Sequence, residues 1–322
     1  MPKPTKNSDR LLVALAQISP VWLNKIATID KICSFIEQAG NQGCDLVCFG
    51  EALLPGYPFW VENTGGAKFN NDLQKSLYAH YSSQAINIDN GDLAQIQKSC
   101  ESKQIACYLG IIERAHDRSG HSLYCTLVYL DKAGSIQSTH RKLVPTHEER
   151  LVWSIGDGNG LRTHKLASFT LGGLNCWENW LPLARTSLYA QGEDLHIAVW
   201  PGGDHNTFDI TPFIAKESRS YVVSVSGLLT KEQIPKELPF YQQIIDHMPN
   251  SLANGASCVA KPNGDWLLEP QVGKEELFVI ELDHQEVRKE RSLIDVSGHY
   301  SRPDVTKLIV NRQRQKVADF ED

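Results

Sequence analysis

The sequence predicts a single domain of mixed α/β structure. It opens with a β-α-β pattern, alternates strand and helix patterns as far as residue 291, and contains no linker, repeat or low-complexity tract at which it could be divided. A chain of 322 residues with 41% apolar and 22% charged residues is long enough to bury a substantial core. We expect a disordered N-terminus at residues 1–9, one folded domain over residues 10–304 and a C-terminal tail over residues 305–322.

The first half of the chain predicts one β-α-β unit and then an irregular segment. Residues 11–17 favour a strand, 24–39 an amphipathic helix and 45–50 a buried strand that ends at Glu51. Residues 53–90 are rich in turn and aromatic residues, with a short helix at 72–84. A long irregular segment inside a compact domain is usually functional or disordered, and its aromatic residues favour function. Further on, the pattern predicts a helix at 92–104, strands at 105–113 and 122–130, a hairpin turn at 132–134 and a return strand at 135–142.

The second half predicts short strands with helices between them. The expected strands are residues 163–166, 169–175, 195–200, 221–227, 257–261 and 277–282. The expected helices are residues 181–191, 211–220 and 284–291. A turn at Pro262-Asn263-Gly264 separates two of the strands.

Composition excludes several classes of function. A net charge of −6 without a cluster of Lys or Arg argues against nucleic acid as a partner. Eight cysteines without regular spacing match neither a disulfide framework nor a zinc site, and they favour a reducing cytoplasm. No apolar run approaches the ~18 residues of a membrane span, so we expect no membrane association.

Cys176 occupies the position of a reactive nucleophile. It follows the apolar strand 169–174, and Pro182 is well placed for the first turn of the next helix. This strand-turn-helix arrangement is typical of a nucleophile elbow, in which a side chain is exposed at a strand tip and backbone N–H groups point at its target. The other seven cysteines lie mostly in apolar runs and are expected to be inert: Cys33, Cys44, Cys48, Cys100, Cys107, Cys125 and Cys258.

Two charged residues share the position of Cys176 directly after a strand. Glu51 follows the second strand, and Lys142 ends the strand that starts at Ser135. Sites in α/β sheets assemble at the carboxyl ends of strands. A carboxylate that accepts the thiol proton and an ammonium that stabilises developing negative charge would complete a cysteine hydrolase. Each residue alone is more often a surface charge or an inert thiol, so spacing by itself indicates only a thiol enzyme of unspecified type.

The residues around these three positions resemble the Glu-Lys-Cys blocks of the nitrilase superfamily, and of its nitrilase branch in particular. The resemblance runs from about Leu11 to Asp304. It rests on Glu51, on residues 140–150 (HRKLVPTHEER) with Trp153 and Gly156-Asp157-Gly158, on residues 176–185 (CWENWLPLAR), and on residues 298–304 (GHYSRPD).

The resemblance implies an α-β-β-α sandwich and a carbon-nitrogen hydrolase domain. It implies hydrolysis of a small-molecule nitrile by water to a carboxylic acid and ammonia, without a metal or an organic cofactor. Glu149 would be the second active-site glutamate, with its neighbour Glu148 as the alternative. Such enzymes associate through helix faces, so we expect a homo-oligomer, either a dimer or a larger assembly such as a spiral.

Aromatic residues near the expected site predict a pocket for the substrate. Tyr57 and Trp60 follow Glu51 closely, and Trp177 follows Cys176 and offers a backbone N–H to the developing charge. An apolar, aromatic-walled pocket would accept an aliphatic or an arylaliphatic nitrile. The same side chains are about as often packed in a core or an interface.

Two departures from the family pattern and three alternatives remain. Gly50 stands where the family usually has Pro, which loosens the backbone before Glu51, and Ser154 stands where Gly often follows the Trp. An amidase of the same superfamily is the nearest alternative. A non-catalytic filament or scaffold protein would predict damage to the three site residues. A papain-like protease would leave Glu51 and Lys142 unexplained.

Overall fold

The computed structural model describes residues 8–319 and 321 and contains two β-sheets packed face to face. The strands are β1 Arg10–Gln17, β2 Leu46–Phe49, β3 Ala106–Arg114, β4 Leu123–Leu130, β5 Ile136–Arg141, β6 His164–Leu166, β7 Phe169–Asn175, β8 Leu195–Trp200, β9 Tyr221–Ser226, β10 Leu228–Thr230, β11 Ser251–Ala260, β12 Trp266–Val272 and β13 Glu276–Asp283. The α-helices are α1 Lys25–Asn41, α2 Trp60–Asn63, α3 Asp72–Gln84, α4 Ala94–Lys103, α5 Pro182–Tyr189, α6 Asp204–Thr207, α7 Ile210–Ser218, α8 Tyr241–Ile245 and α9 His284–Arg291.

The first sheet has the strand order β13-β1-β2-β3-β4-β5. Its three central strands β1, β2 and β3 are parallel, with Val13 opposite Leu46 and Leu46 opposite Ala106. β13 pairs antiparallel with β1, and β4 and β5 add an antiparallel hairpin. In this arrangement β2 and β5 both end at the sheet edge that carries Glu51 and Lys142.

The second sheet has the order β10-β11-β9-β8-β7-β6, with β12 paired to β11. Its strands β7, β8 and β9 are parallel, and Leu171 lies opposite Leu195. The end of β7 carries Cys176. The two sheets therefore repeat one scheme, in which parallel central strands deliver polar side chains at their carboxyl ends.

Three layers of apolar side chains hold the sheets and helices together. The inner core lies between the sheets and includes Leu15, Leu171 and Val199. A second cluster packs α1 and α4 on the outer face of the first sheet, and a third packs α7 on the second sheet. The order of layers is helix, sheet, sheet, helix, so the expected α-β-β-α sandwich is confirmed.

Most predicted elements are present, and five short ones were missed. These are α2, α6, α8, β10 and β12. β12 pairs with β11 at the margin of the sheet, and its alternation is blurred by Glu269 and Pro270. Proline cannot donate a ladder hydrogen bond, so it is tolerated only in such a marginal strand. The other four span three to five residues, too few for a periodic pattern.

The chain ends contact the body of the domain. Residues 1–7 of the expected disordered segment lie outside the described residues, whereas Ser8 accepts a backbone hydrogen bond from Ser168 and Asp9 pairs with Arg288. From residue 305 onward, the described residues form neither helix nor strand. In the described parts of the chain, no helix is long and apolar enough to cross a membrane.

Candidate active site

Three strand ends bring the predicted site residues together. Glu51 follows β2 and Lys142 follows β5 in the first sheet, while Cys176 follows β7 in the second. The Nζ atom of Lys142 lies 3.0 Å from Glu51 Oε1. Ligand atoms of Glu51, Glu149 and Cys176 all lie within 4.8 Å of one another. Face-to-face packing of the sheets therefore assembles a cluster that neither sheet holds alone.

Cys176 adopts the strained backbone of a nucleophile elbow. Its φ is +45°, a left-handed value that is uncommon for a residue with a side chain. It begins the short 3-10 helix Cys176–Trp180, and α5 starts two residues later. The side chain was expected to be exposed, but only 3% of the residue is accessible because the second sheet, α7 and the Glu51 loop enclose it. Burial and the charge of Glu51 raise the pKa of its thiol, whereas Lys142 and the backbone of Trp177 act to lower it.

A buried polar chain supports the elbow from below. Asn179 Nδ2 donates to the Cys176 carbonyl at 2.8 Å, and its Oδ1 meets His196 Nε2 at 2.8 Å. His196 Nδ1 lies 2.9 Å from Glu193. Gly172 makes room for that carboxylate, because a Cβ there would lie 2.0 Å from Glu193 Oε1. The Cys176 carbonyl is thus held by a chain of buried hydrogen bonds that runs through Asn179 and His196 to Glu193.

Glu178 connects the elbow to the segment that carries Lys142. Its carboxylate accepts from the backbone N–H of Asn175 at 2.9 Å and of Leu143 at 2.6 Å, and it lies 3.0 Å from His140 Nε2. Burial raises the pKa of Glu178, but His140 and the two N–H groups bring it below its usual value. Sequence reasoning used Glu178 only as part of a motif. Its structural role is to fix Cys176 and Lys142 relative to each other.

Lys142 lies between two buried carboxylates. Its ammonium is 2.7 Å from Glu149 Oε2 and 3.0 Å from Glu51 Oε1. Burial lowers the pKa of Lys142, but the charges of its neighbours raise it well above the usual range. Glu51, Glu149 and Cys176 offer two carboxylate oxygens and a sulfur at the spacing of metal ligands. The Lys142 ammonium, however, already occupies the position between the two carboxylates. The two carboxylates therefore suit the lysine ammonium better than a metal ion.

Of the two adjacent glutamates, Glu149 faces the cluster. It also accepts from the Thr146 backbone N–H at 2.6 Å and from the Tyr57 hydroxyl at 2.9 Å. Glu148 instead lies 2.7 Å from the exposed His147, and its distance to the Tyr57 hydroxyl is longer, at 3.4 Å. The short 3-10 helix His147–Leu151 turns the first side chain outward and the second inward.

The cluster raises the pKa values of both Glu51 and the Cys176 thiol. Burial raises the pKa of Glu51 to about 7, with Lys142 opposing this and Glu149 adding to it. Burial and the charge of Glu51 raise the pKa of the Cys176 thiol well above its usual value. A neutral thiol beside an ionisable carboxylate is the starting arrangement for general-base activation of a nucleophile.

Glycines shape the strand tip before Glu51. Gly50 was expected to relax this backbone, but a Cβ there would lie 2.9 Å from the Gly227 nitrogen and 3.1 Å from the Trp200 carbonyl oxygen. On the other side, a Cβ at Gly110 would lie 2.3 Å from the Gly50 carbonyl oxygen. The Glu51 N–H donates to the Trp200 carbonyl at 3.1 Å. Close packing from both sheets therefore replaces the restraint that Pro would provide.

The predicted aromatic residues separate into three environments. Tyr57 lines a cavity of about 10 Å³ beside Glu51, together with Pro20, Leu53, Phe59, Pro201, Gly227, Leu228, Leu229 and Ala253. Trp60 is buried against Tyr81 and lines another cavity, whose walls are Trp60, Val61, Gly66, Gln74, Lys75, Tyr78, Leu151 and Val152. The ring of Trp177 is exposed on the surface beside Trp180. Only Tyr57 therefore reaches the cluster with its side chain.

Sequence reasoning missed Cys125, which was grouped with the inert cysteines. Its sulfur lies 3.5 Å from Glu51 Oε1, and its carbonyl accepts from the Lys142 N–H at 2.7 Å. The signal was present in the predicted hairpin. Since Thr126 pairs with Arg141 across that hairpin, Cys125 must lie opposite Lys142.

Comparison with known proteins relates the whole chain to one group. Residues 12–291 match the family model for carbon-nitrogen hydrolase. The chain is 32% identical over 313 residues to "Nitrilase 2" of an unknown prokaryotic organism, with 96% of this chain and 95% of the relative aligned. It is 32% identical over 307 residues to "Aliphatic nitrilase" of Sinorhizobium fredii (strain HH103), which covers 93% and 95% of the two chains.

Solved structures share the architecture. A carbon-nitrogen hydrolase from Helicobacter pylori G27 superposes with a TM-score of 0.67 over 88% of this chain and 93% of its own, at 17% identity. At that level of identity, the likeness supports the two-sheet fold and not a particular substrate.

Proposed function

The chain belongs to the carbon-nitrogen hydrolase family, in its nitrilase branch, and from this premise we propose that it hydrolyses a compact organic nitrile through a covalent intermediate on Cys176. The observation that carries the proposal is the contact cluster of Glu51, Lys142 and Glu149 around the buried thiol. Full-length relatives named nitrilase and aliphatic nitrilase support the nitrile substrate.

The first half of the reaction forms a thioimidate. Glu51 accepts the Cys176 proton, and the thiolate adds to the nitrile carbon. The negative charge that develops on nitrogen is stabilised by Lys142 and by the Trp177 backbone N–H, and protonation gives the neutral thioimidate. Both donors are fixed before the substrate arrives, so they need no reorganisation at that moment.

The second half consumes two waters. The first water adds to the thioimidate, and the tetrahedral intermediate expels ammonia to leave a thioester. A second water, activated by Glu51, releases the carboxylic acid and returns the thiol. If the tetrahedral intermediate expels the thiol instead, the product is an amide, and a difference of ~1.4 kcal/mol between the two routes changes the ratio tenfold.

The space beside Glu51 must widen to admit any nitrile, which favours a small aliphatic substrate. Its volume of about 10 Å³ is close to the space for a single water molecule, and its lining is mostly apolar. Tyr57 is anchored by its bond to Glu149, so the wall that it forms is rigid. A short aliphatic chain therefore requires less displacement than an aryl ring.

We also propose that the protein forms a homo-oligomer in the cytoplasm. Large apolar side chains are exposed on one face, which we call the α5–α7 face: Trp177, Trp180, Leu181, Leu183, Phe208 and Phe213. Exposed apolar patches of this kind mark interaction surfaces. A second copy is the simplest occupant, because a two-fold contact makes one patch complementary to itself. Apart from Cys44, the cysteines are free thiols in the described part of the chain, which supports a reducing compartment.

The experiment is ammonia release from matched nitriles and amides. Acetonitrile, propionitrile, butyronitrile, benzonitrile and phenylacetonitrile are assayed beside their amides with the wild type, Cys176→Ala and a control, Cys258→Ala. Cys258 is equally buried but lies in the second sheet away from the cluster. We expect nitrile turnover that decreases with substrate size and is lost only in Cys176→Ala.

Other outcomes contradict the proposal in distinguishable ways. Turnover of amides alone would make the protein an amidase. If neither the wild type nor the control hydrolyses nitriles or amides, a non-catalytic scaffold would be favoured. Faster hydrolysis of phenylacetonitrile than of propionitrile would reject the compact substrate while retaining the chemistry.

A further inference from the structure

Cys125 is a buried cysteine in contact with the base of the proposed reaction. We propose that Cys125 is a positioning residue for Glu51: its thiol donates to Glu51 Oε1, orients the carboxylate toward Cys176 and favours the ionised form. This inference rests on the proposed function only in that Glu51 is the base. The sulfur-oxygen distance of 3.5 Å is in the range of a weak S–H···O hydrogen bond.

The position of Cys125 links three segments of the site. It lies in β4 and is 1% exposed. Its side chain contacts Glu51 and lies 4.0 Å from Asn175 Oδ1, the residue before Cys176. Its main chain holds the N–H of Lys142 at 2.7 Å. A change at this position therefore reaches all the groups that the reaction needs.

The direction of donation follows from the ionisation of the two groups. Burial and the charge of Glu51 raise the pKa of the Cys125 thiol well above its usual value, so it retains its proton. When Glu51 is ionised, its carboxylate can only accept, so the thiol donates to it. Glu51 Oε1 thus receives Cys125 and Lys142, while Oε2 is buried without a hydrogen-bond partner among the described residues. The free oxygen is the atom available to take the proton of Cys176.

Other cysteines of the same sheet show that this contact is particular to Cys125. Cys48 lies in the apolar core between the sheets, and Cys107 lies in the apolar cluster under α1 and α4. Both are fully buried, so both serve as matched positions for the cost of removing a buried sulfur.

Several ionisable groups face Glu51, and any change in its titration must be measured against them. They come from the loop after β2, from α3, from the segment after β5 with its 3-10 helix, and from the elbow: Tyr57, Tyr81, Lys142, Glu149 and Cys176. A substitution at position 125 leaves all five of these side chains in the protein.

The test uses variants that separate hydrogen bonding from packing. Cys125→Val fills the volume without a donor, Cys125→Ala leaves both volume and donor lost, and Cys125→Ser keeps a donor in a smaller side chain. Cys107→Ala is the control. If only packing matters, the Val variant should be closer to the wild type than the Ser variant. If hydrogen-bond donation matters, the Ser variant should be closer.

The primary readout does not need turnover. Alkylation of Cys176 by iodoacetamide is followed between pH 5 and 9 as the mass gain of the peptide containing residue 176. Because the donor stabilises the ionised base, its loss in the Val and Ala variants should raise the midpoint of the alkylation profile by about 0.5 pH unit. Below the midpoint, alkylation should then be about threefold slower than in the wild type. Ser should stay near the wild-type midpoint, and so should the control. The pH profile of kcat/KM should move in parallel.

An unshifted midpoint in Cys125→Val would overturn the proposal, and so would a Ser variant that shifts as far as Val. Circular dichroism and a thermal midpoint confirm that each variant is folded. Should the wild type hydrolyse no nitrile, the alkylation midpoints still decide the role of Cys125, so its failure is distinguishable from failure of the proposed function.

Discussion

Lys142 brings one positive charge against two buried carboxylates. Glu51 and Glu149 lie 3.0 and 2.7 Å from its ammonium. Burial raises the pKa of Glu51, and the single cation of Lys142, which lowers it, does not offset both burial and the negative charge of Glu149. A base whose pKa lies near neutral pH can both accept the proton of Cys176 and return it.

Removing the charge of Glu149 should disable this balance. We expect Glu149→Gln to lower kcat on the order of 10²-fold, because Lys142 loses its nearer partner and the orientation needed for charge stabilisation. Glu148→Gln is the matched control, since it changes the neighbouring, outward-facing carboxylate, and kcat should remain within about twofold. Steady-state kinetics on the best nitrile measures both. Equal losses in the two variants would contradict the assignment of Glu149.

Activity should follow the ionisation of Glu51 on the acidic side. Burial raises its pKa from 4.5 to about 7, and the base must be unprotonated to accept a proton. The logarithm of kcat/KM should therefore rise by one per pH unit below about 7 and level off above it. The apparent pKa of this acidic side of the profile describes the interacting cluster and not one residue alone. A flat profile from pH 5.5 to 8, with activity restored after return to pH 7.5, would rule out this base.

At the scale of elements, the site depends on two short 3-10 helices. Cys176–Trp180 and His147–Leu151 each begin with a capping box. In this motif the cap side chain accepts from the backbone N–H three residues later, and that later side chain accepts from the cap N–H. In both, the glutamate of the box is itself part of the site: Glu178 joins the two segments, and Glu149 contacts Lys142. Local helix-start chemistry thus fixes the orientation of the polar groups.

The C-terminal tail braces the segment behind Lys142. Arg314 contacts Asp157 at 3.0 Å and the Thr139 hydroxyl at 3.0 Å. The N–H of the neighbouring Gln315 donates to the same aspartate. Gly156, next to Asp157, donates its N–H to the Lys142 carbonyl at 2.9 Å. Residues 314 and 315 are therefore attached to the domain.

Loss of the Arg314 contact should loosen this brace. We expect Arg314→Ala to lower the free energy of unfolding by about 1–2 kcal/mol, because the buried carboxylate of Asp157 loses a charged partner. Since the same loop supports Lys142, kcat should fall by less than about tenfold. Thermal unfolding and kinetics measure the two effects. Lys316→Ala is the control, as its ion pair with Asp319 is exposed, and an equal loss of stability there would refute the brace.

At the scale of the whole molecule, the candidate active site lies across two sheets. Glu51 and Lys142 come from one sheet and Cys176 from the other, and β4 contacts β7 between them. The α5–α7 face starts at Trp177, the residue after Cys176. The Trp177 and Trp180 rings are 6.1 Å apart, and Arg185 of α5 lies 5.7 Å from the Phe213 ring of α7.

Association through the α5–α7 face should be lost when a charge is placed on it. Leu183 is 67% exposed at the second position of α5, and Leu183→Asp should convert the proposed oligomer to monomer because an uncompensated carboxylate would be buried. Ile26→Asp is the control, since Ile26 is 70% exposed at the second position of α1 on a different surface. Size-exclusion chromatography with light scattering gives the mass. A mass unchanged by Leu183→Asp would exclude this face.

The sequence by itself determined the order of most elements and the identity of three groups at the strand ends. Apolar runs predicted the central strands, and turn residues predicted the β4–β5 hairpin. Directly after such strands, Glu51, Lys142 and Cys176 could be recognised because a strand end in an α/β sheet is a defined position. Resemblance to a family supplied the layer order and the choice of Glu149.

Only the tertiary structure decided which side chains share the cluster. The proximity of Cys125 to Glu51 and the burial of Cys176 depend on how the sheets stack, and the separation of Trp60 from the cluster depends on how the 53–90 segment packs. Periodicity reports which face of an element is apolar. It carries no information on distances between residues far apart in the chain, because those distances are set by packing of the whole domain.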